Sequence, residues 1–503
     1  MRKFTLFLAF LPLMMAAQDR IMVIADPHVY PLTEIAKEAD FDTYMAKQRK
    51  MVDLSEPIWN ALMDTALAYR PSLVLIPGDL TRDGEAASHQ LVSNSLQQLQ
   101  QAGIRTLVIP GNHDLPGNNW ESLYPGTFEH AAKDPNSHSF AVKALQGVTV
   151  IGIDGSDGNA GTGKLSEATL SWVLAQADSA VAKGHTIIAM SHWQLIEHFD
   201  QKGTLESSCR FKNADAIRDS LMAHGVHVVL TGHFHVNSIS TFRDTTGLTN
   251  DSIVEISTGS PITYPCPYRW LTLSADRSEM AVTTDFLTSV DTIADLYNYS
   301  RAWMEEHTAN MIPTLALRAW NKVDANWGKV EQKLTAAGVS SRIINLLHSY
   351  IPETDSARIA ITQEYMGQSA IDLYLFHSEA NEFEHPELAD SLAQNVYAGM
   401  DGMMNEIFGI FVDFAPIIKT MAMSMAKEPV QSLVEDKTQW ASPTHADVTD
   451  DLHPRLVVNA PQNFEAIEQV EEPLKPEKFI RDGHLFIRRG TLLFNANGQP
   501  VAL

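Results

Sequence analysis

Thr106–Asp114 reads TLVIPGNHD. An apolar run of strand length stops at Pro-Gly, and Asn112, His113 and Asp114 follow at once. Short apolar runs bounded by turn residues read as strands buried on both faces. The same grammar recurs at Ile21–His28 (IMVIADPH), Leu73–Asp79 (LVLIPGD), Thr186–His192 (TIIAMSH) and Val226–His235 (VHVVLTGHFH). In each, polar side chains able to bind a metal or move a proton come just after the strand.

Further strand-like runs lie at Val148–Ile153 and Ser252–Ile256. Helix-period segments stand between them at Phe41–Tyr69, Glu85–Ala102, Glu167–Ala182 and Asn213–Ala223. Strands alternating with helices predict an α/β domain, which a hairpin over Tyr268–Phe286 closes. In such sheets ligands collect at the carboxyl ends of the strands. Segments far apart in the chain can therefore deliver Asp26, His28, Asp79, Asn112, His113, Asp114, His192, His233 and His235 to one place. Neutral imidazole and carboxylate are donors for Zn, Mn or Fe, and a paired site needs about seven protein ligands with one carboxylate shared. Other histidines fit less well. His185 and His227 precede their strands, and His89, His224 and His307 sit in helical patterns, as surface or satisfied residues. His198 is a candidate for lining a substrate pocket. Arg210 and Arg269 are candidates for pairing a phosphate, or equally for a salt bridge within the fold.

This order of motifs resembles the calcineurin-like metallophosphoesterase family over Arg20 to Asp285. There, Asp-x-His, Gly-Asp, Gly-Asn-His-Asp or -Glu, a lone His and Gly-His-x-His follow one another as they do here. The resemblance implies a four-layer αββα fold, a central β-sandwich flanked by helices. It also implies that Asp26, His28 and His235 bind one metal ion, that Asn112, His192 and His233 bind a second, and that Asp79 bridges both. His113 would contact the phosphoryl group or protonate the leaving oxygen, held by Asp114. Two metals about 3.5–4 Å apart would lower the pKa of a bridging water, whose hydroxide attacks phosphorus in line. The expected function is hydrolysis of a phosphodiester or phosphomonoester. Gly163-Lys164-Leu165, Leu170-Ser171-Trp172-Val173 and Ser257–Pro261 with Pro267-Tyr268-Arg269 are similar to the bacterial phosphodiesterase-like branch. Leu80, Thr81 and Arg82 after Asp79 leave no tyrosine ligand of the purple acid phosphatase kind. A non-catalytic scaffold of the same fold, and an exported nucleotidase or nuclease, are the competing readings.

The chain has 503 residues, room for roughly three units, with 45% hydrophobic and 19% charged residues. That is a globular balance and excludes a disordered, collagen-like or coiled-coil chain. Its 61 acidic against 37 basic residues give a net charge of -24. Such a field argues against nucleic acid or an anionic membrane as partner; the expected partner is a small phosphate ester.

Residues 1–17 read as a signal peptide. Arg2 and Lys3 precede the apolar run Phe4–Met15, and Ala16 and Ala17 follow. Export to the periplasm or the extracellular space is therefore expected. In that compartment Cys209 and Cys266 are either one disulfide or two buried thiols. The α/β domain is expected over 18–290 and a mainly helical region over 291–440. A linker and a hairpin tail follow over 441–503, the tail resembling short C-terminal modules of exported bacterial proteins. The apolar stretch Ile407–Ala426 is broken by Asp413, Pro416 and Lys419. Each charge costs about 2.5–3.5 kcal/mol at a bilayer centre, so a buried helix pair is expected there, with no membrane anchor once the signal is removed.

Overall fold

The computed structural model describes residues 19–115, 117, 119–156, 162–198, 209–243, 252–380, 385–409, 420, 430, 445–447, 451–458, 477–481, 484–489 and 492–495. Residues 1–17, read as a signal peptide, and most of Ile407–Ala426 lie outside these. Among the described residues no helix is long and apolar enough to cross a membrane.

The strands are β1 (Arg20–Val23), β2 (Leu73–Pro77), β3 (Arg105–Ile109), β4 (Ala132–Lys133), β5 (Phe140–Leu145), β6 (Val148–Ile153), β7 (Thr186–Ser191), β8 (Val228–Thr231), β9 (Ser238–Arg243), β10 (Ser252–Ser257), β11 (Pro267–Leu273), β12 (Glu279–Phe286), β13 (His445–Asp447) and β14 (Arg455–Val457). They form two sheets, in the orders β14-β12-β11-β1-β2-β3 and β13-β9-β10-β8-β7-β6-β5-β4. β1, β2 and β3 run parallel, as do β6, β7, β8 and β10. These strands are buried along nearly their whole length, which is why they read as unbroken apolar runs rather than alternations.

The helices before residue 290 are α1 (Leu32–Ile35), α2 (Phe41–Met45), α3 (Ser55–Tyr69), α4 (Ala86–Gln101), α5 (Trp120–Leu123), α6 (Glu167–Val181) and α7 (Ala214–Ala223). Side-chain alternation along the strands sorts the layers. Val148, Val150, Ile188, Met190, Val228 and Leu230 share one core with β1, β2, β3, α3 and α4. Their neighbours Ile151, Ile153, Ile187, Ala189 and Val229 pack with Val173, Ala177, Ile217 and Leu221 of α6 and α7. The result is a sandwich of two sheets covered by helices on both sides.

The predicted helix over Phe41–Tyr69 is broken. After α2 the chain runs through residues 46–51 and one 3-10 turn (Val52–Leu54) before α3 begins. Pro57 explains the restart. It lies in the first turn of α3, where its ring and missing N–H cost least, and it disfavours helix in the turn before it. The β5 and β9 strands were not legible; Lys143 interrupts the apolar run of β5, and β9 is mostly polar.

The helical region contains α8 (Leu296–Ala336), α9 (Ser341–His348), α10 (Asp355–Glu379) and α11 (Pro386–Phe408). It forms one compact unit with the sandwich, spanning Met1–Gln462. The segment read as a linker is partly strand. β13 pairs with β9 and β14 with β12, so residues 445–447 and 455–457 each cover an edge of one sheet. The second unit, Asn463–Leu503, holds a three-stranded antiparallel sheet of β15 (Glu477–Arg481), β16 (His484–Arg489) and β17 (Leu492–Asn495). The two cysteines are separate buried thiols. The Cys266 thiol is pushed up to about 12 by burial.

Candidate metal centre

Five loops meet at the carboxyl ends of β1, β2, β3, β7 and β8, three from one sheet and two from the other. Asp26, His28, Asp79, His192, Asn112, His233 and His235 are brought together there. His28 Nε2 lies 3.1 Å from His235 Nε2 and 3.6 Å from Asp79 Oδ2. His235 Nε2 lies 3.4 Å from Asp26 Oδ1. On the other side, His192 Nε2 lies 3.2 Å from Asp79 Oδ2, 3.0 Å from Asn112 Oδ1 and 3.0 Å from His233 Nδ1. The donor atoms of Asp26, His28, Asp79 and His235 all fall within 4.8 Å of one another, as do those of Asp79, His192 and His233. Asp79 belongs to both groups.

The donors fit metal ions. Imidazole nitrogens bind at about 2.0–2.1 Å, so two of them on one ion stand roughly 3 Å apart, the spacing found for both histidine pairs. His192 Nδ1 donates to the Pro77 carbonyl at 3.0 Å, which leaves Nε2 facing the centre as an acceptor. The carboxylates are fixed by backbone donors: His113 N–H to Asp79 Oδ1 at 2.8 Å, and His233 N–H to Asp26 Oδ1 at 2.9 Å.

The local backbone accounts for the glycines and for strain. Asp26, His28, Asp79, His233 and His235 have φ between 41° and 67°, the left-handed region that side chains disfavour. Such conformations persist where surrounding contacts over-determine them, and they cluster at functional sites. A Cβ on Gly111 would strike the Asp79 carboxylate, and one on Gly232 would strike that of Asp26.

Residues 19–237 match the model of the calcineurin-like phosphoesterase family. Comparison with curated proteins found no match. Among solved structures, the chain is similar to a dimetal phosphatase from Danio rerio, at 14% identity and TM-score 0.39, covering 53% of this chain and 95% of that one. It is also similar to a purple acid phosphatase from seeds of yellow lupin (Lupinus luteus), at 13% identity and TM-score 0.36, covering 56% of this chain and 53% of that one.

Electrostatics at the centre are dominated by burial and by the Asp79 and Asp26 carboxylates. Burial pulls the His192 imidazole down, but Asp79 and Asp26 outweigh it and raise it to about 9. Burial, then the neighbouring His192, pushes His233 down to about 3. Asp79 is held well below its usual range: His192 and His28 outweigh its burial.

Asp114 requires a correction. It does not hold the His113 ring. Its carboxylate is fully buried and accepts from Gly111 N–H at 2.9 Å, Thr81 N–H at 2.9 Å and Thr81 Oγ1 at 3.0 Å. It ties the loop after β3 to the loop after β2, and burial, then Asp79, raises it to about 7. The His113 ring is held instead by Asp83, which the sequence reading missed. His113 Nδ1 and Asp83 Oδ1 are 2.7 Å apart. The only sequence signal was a carboxylate four residues beyond Asp79, in the turn before Gly84. Arg82 steadies that turn through Glu38 at 2.8 Å and Glu85 at 3.0 Å, with its guanidinium 3.9 Å from the Tyr30 ring centre. Burial lowers His113, but the bond to Asp83 outweighs it and holds the imidazole above its ordinary value.

His198 and Arg269 are built into the fold around the centre. His198 is buried, with Nδ1 2.9 Å from Ser238 Oγ and Nε2 3.1 Å from Glu255 Oε1. Glu255 also accepts from Leu195 and Ile196 N–H at 2.7 and 2.9 Å, so the pair shapes the loop leaving His192. Arg269 Nε donates to Asn237 Oδ1 at 3.2 Å, and the same oxygen accepts from Gly259 N–H at 3.0 Å. Arg210 makes salt bridges with Glu197 and Asp215. The structure thus gives each of these residues partners within the fold.

The helical region borders the centre. His377 of α10 packs on Phe234, between the candidate ligands His233 and His235, at 5.7 Å between ring centres. The Tyr264 hydroxyl bonds to Glu379 of α10 and, at 2.8 Å, to Tyr297 of α8.

Proposed function

We propose that this protein hydrolyses a small phosphate ester at a binuclear metal centre. The observation that carries this reading is the pair of donor groups that share Asp79. Asp26, His28, Asp79 and His235 would hold one ion, and Asp79, His192, His233 and Asn112 the other. When bound, such ions supply positive charge to phosphoryl oxygens and lower the pKa of a water.

The chain's own residues do the rest. Asp26 and Asp79 are locked by backbone N–H groups, so the donor oxygens are aimed before any ion arrives. His113 shares Nδ1 with Asp83, which leaves Nε2 to give a proton to the leaving oxygen. Its ring stands edge-on to His28, 4.8 Å between centres, and so beside the donors rather than among them. Asp114 keeps the two ligand loops in register.

Export is proposed from residues 1–17; N-terminal sequencing of the protein recovered outside the cytoplasm tests it, and an intact Met1 would overturn it. A metal-supplemented panel of aryl phosphate, aryl phosphodiester, cyclic nucleotide and phospholipid head-group esters tests the activity. Turnover of at least one ester, lost on chelation, is expected; a metal-loaded protein inert to all of them would favour the scaffold reading.

A further inference from the structure

The break between α2 and α3 carries a cation that no motif announces. Lys50 lies in that break and is half-buried. It is pinned on both sides. Met51 N–H donates to the Ile262 carbonyl at 2.8 Å, and the Arg49 guanidinium sits 4.4 Å from the ring centre of Tyr374 on α10. The Ile262 loop is itself tied to the centre, since Ser260 Oγ donates to the Asp26 carbonyl at 2.7 Å.

From this position the ammonium acts electrostatically on Asp79, Asp83 and Asp26, and on His28, His113 and His235. These six stand on the loops after β1, β2, β3 and β8, the same strand ends to which the Met51–Ile262 and Ser260–Asp26 bonds tether the Lys50 segment. Among the described residues its ammonium makes no hydrogen bond or ion pair. A half-buried ammonium that no carboxylate bonds directly is costly to hold, and an anion arriving at the centre would supply that bond.

Charge decides which anion. The donor set supplies two carboxylates, Asp26 and Asp79. Two divalent ions would leave a surplus of two positive charges. A phosphodiester monoanion with an attacking hydroxide cancels that surplus. A phosphomonoester dianion with hydroxide exceeds it by one negative charge, which a lysine would balance.

Resting on the phosphoesterase reading above, we propose that Lys50 binds a non-bridging phosphoryl oxygen and selects phosphomonoester dianions. Lysine suits this as a compact point charge on a flexible stem.

The test compares the wild type with Lys50→Met and Lys50→Arg in metal-loaded full-length protein. Metal content, inorganic phosphate affinity by calorimetry, and KM and kcat on aryl phosphate and aryl phosphodiester are measured. Lys50→Met is expected to keep both metals and to weaken phosphate binding roughly 10- to 100-fold, the worth of a charged hydrogen bond. Its kcat/KM should fall far more for the monoester than for the diester, and Lys50→Arg should recover part of the loss. Unchanged phosphate affinity overturns the contact. Equal losses on the two esters overturn the selection of a dianion, and loss of metal assigns Lys50 to the scaffold instead. A wild type that binds phosphate but hydrolyses nothing would overturn the hydrolase reading while leaving the phosphate contact standing.

Discussion

His113 Nδ1 meets Asp83 Oδ1 at 2.7 Å, while Asp114, adjacent to His113 in sequence, turns inward to bind the backbone of Thr81 and Gly111. The half-exposed carboxylate tunes the imidazole, and the buried one builds the loop.

This arrangement sets a pH dependence. In the proposed mechanism His113 works as the acid form, and the bond to Asp83 holds its pKa above the ordinary value. Activity that needs its proton is present below that raised pKa and lost as pH rises through it. Asp83→Asn removes the cause, so the alkaline limb of the kcat profile should move to lower pH. His113→Ala should keep both metals and lose about 10²–10⁴-fold in turnover. An unmoved limb in the first variant, or full turnover in the second, would contradict the assignment.

Asp79 joins the two donor groups. Asp79→Asn should therefore lose metal and activity together, measured by elemental analysis and turnover on the same sample. Two tightly held metals in that variant would rule out the shared-ligand reading.

Metal removal should be reversible and visible in stability. At free metal a hundredfold above Kd, binding to the folded state adds about 2.7 kcal/mol, roughly 5–10 °C in Tm for a domain of this size. His192, raised to about 9 in the metal-free chain, must lose its proton to act as a ligand. Metal uptake at pH 7–8 should then release a proton, and the calorimetric heat should vary with the ionisation heat of the buffer.

His198→Ala should act on stability. It leaves one buried Glu255 oxygen short of a donor, a loss of about 1–3 kcal/mol, read by denaturant unfolding. KM for the ester should stay within about twofold of wild type, as for any residue that only supports the fold. A large KM change with unaltered stability would return His198 to the substrate pocket.

Cys266 is buried and its thiol is raised to about 12, so at pH 8 it stays protonated and inert. Thiol reagents should leave it unmodified in the folded protein and titrate two thiols in denaturant. Two unreactive sulfurs in denaturant without reductant would reveal the disulfide.

Much of the centre was legible in Thr106–Asp114 and its four counterparts. A parallel strand buried on both faces must be a local apolar run, and the residues just after it must lie at its carboxyl end. Both facts are written along the chain, so the ligand types and their shared location follow from the sequence alone. The partner of His113 was not legible. Asp114 is the nearer carboxylate in sequence, but the loop backbone aims it at the Gly111 and Thr81 amides, while the turn held by Arg82 brings Asp83 across from another strand. Residues 445–458 likewise read as linker, because strands this short carry too few residues to show a period. Lys50 left no trace in sequence either. Its place depends on the restart of the helix before Pro57, on Met51 bonding to the Ile262 loop and on Arg49 meeting α10. Such long-range contacts join segments that know nothing of one another until the chain has folded. The sequence by itself determined what gathers at the strand ends; tertiary packing decided which neighbours tune it.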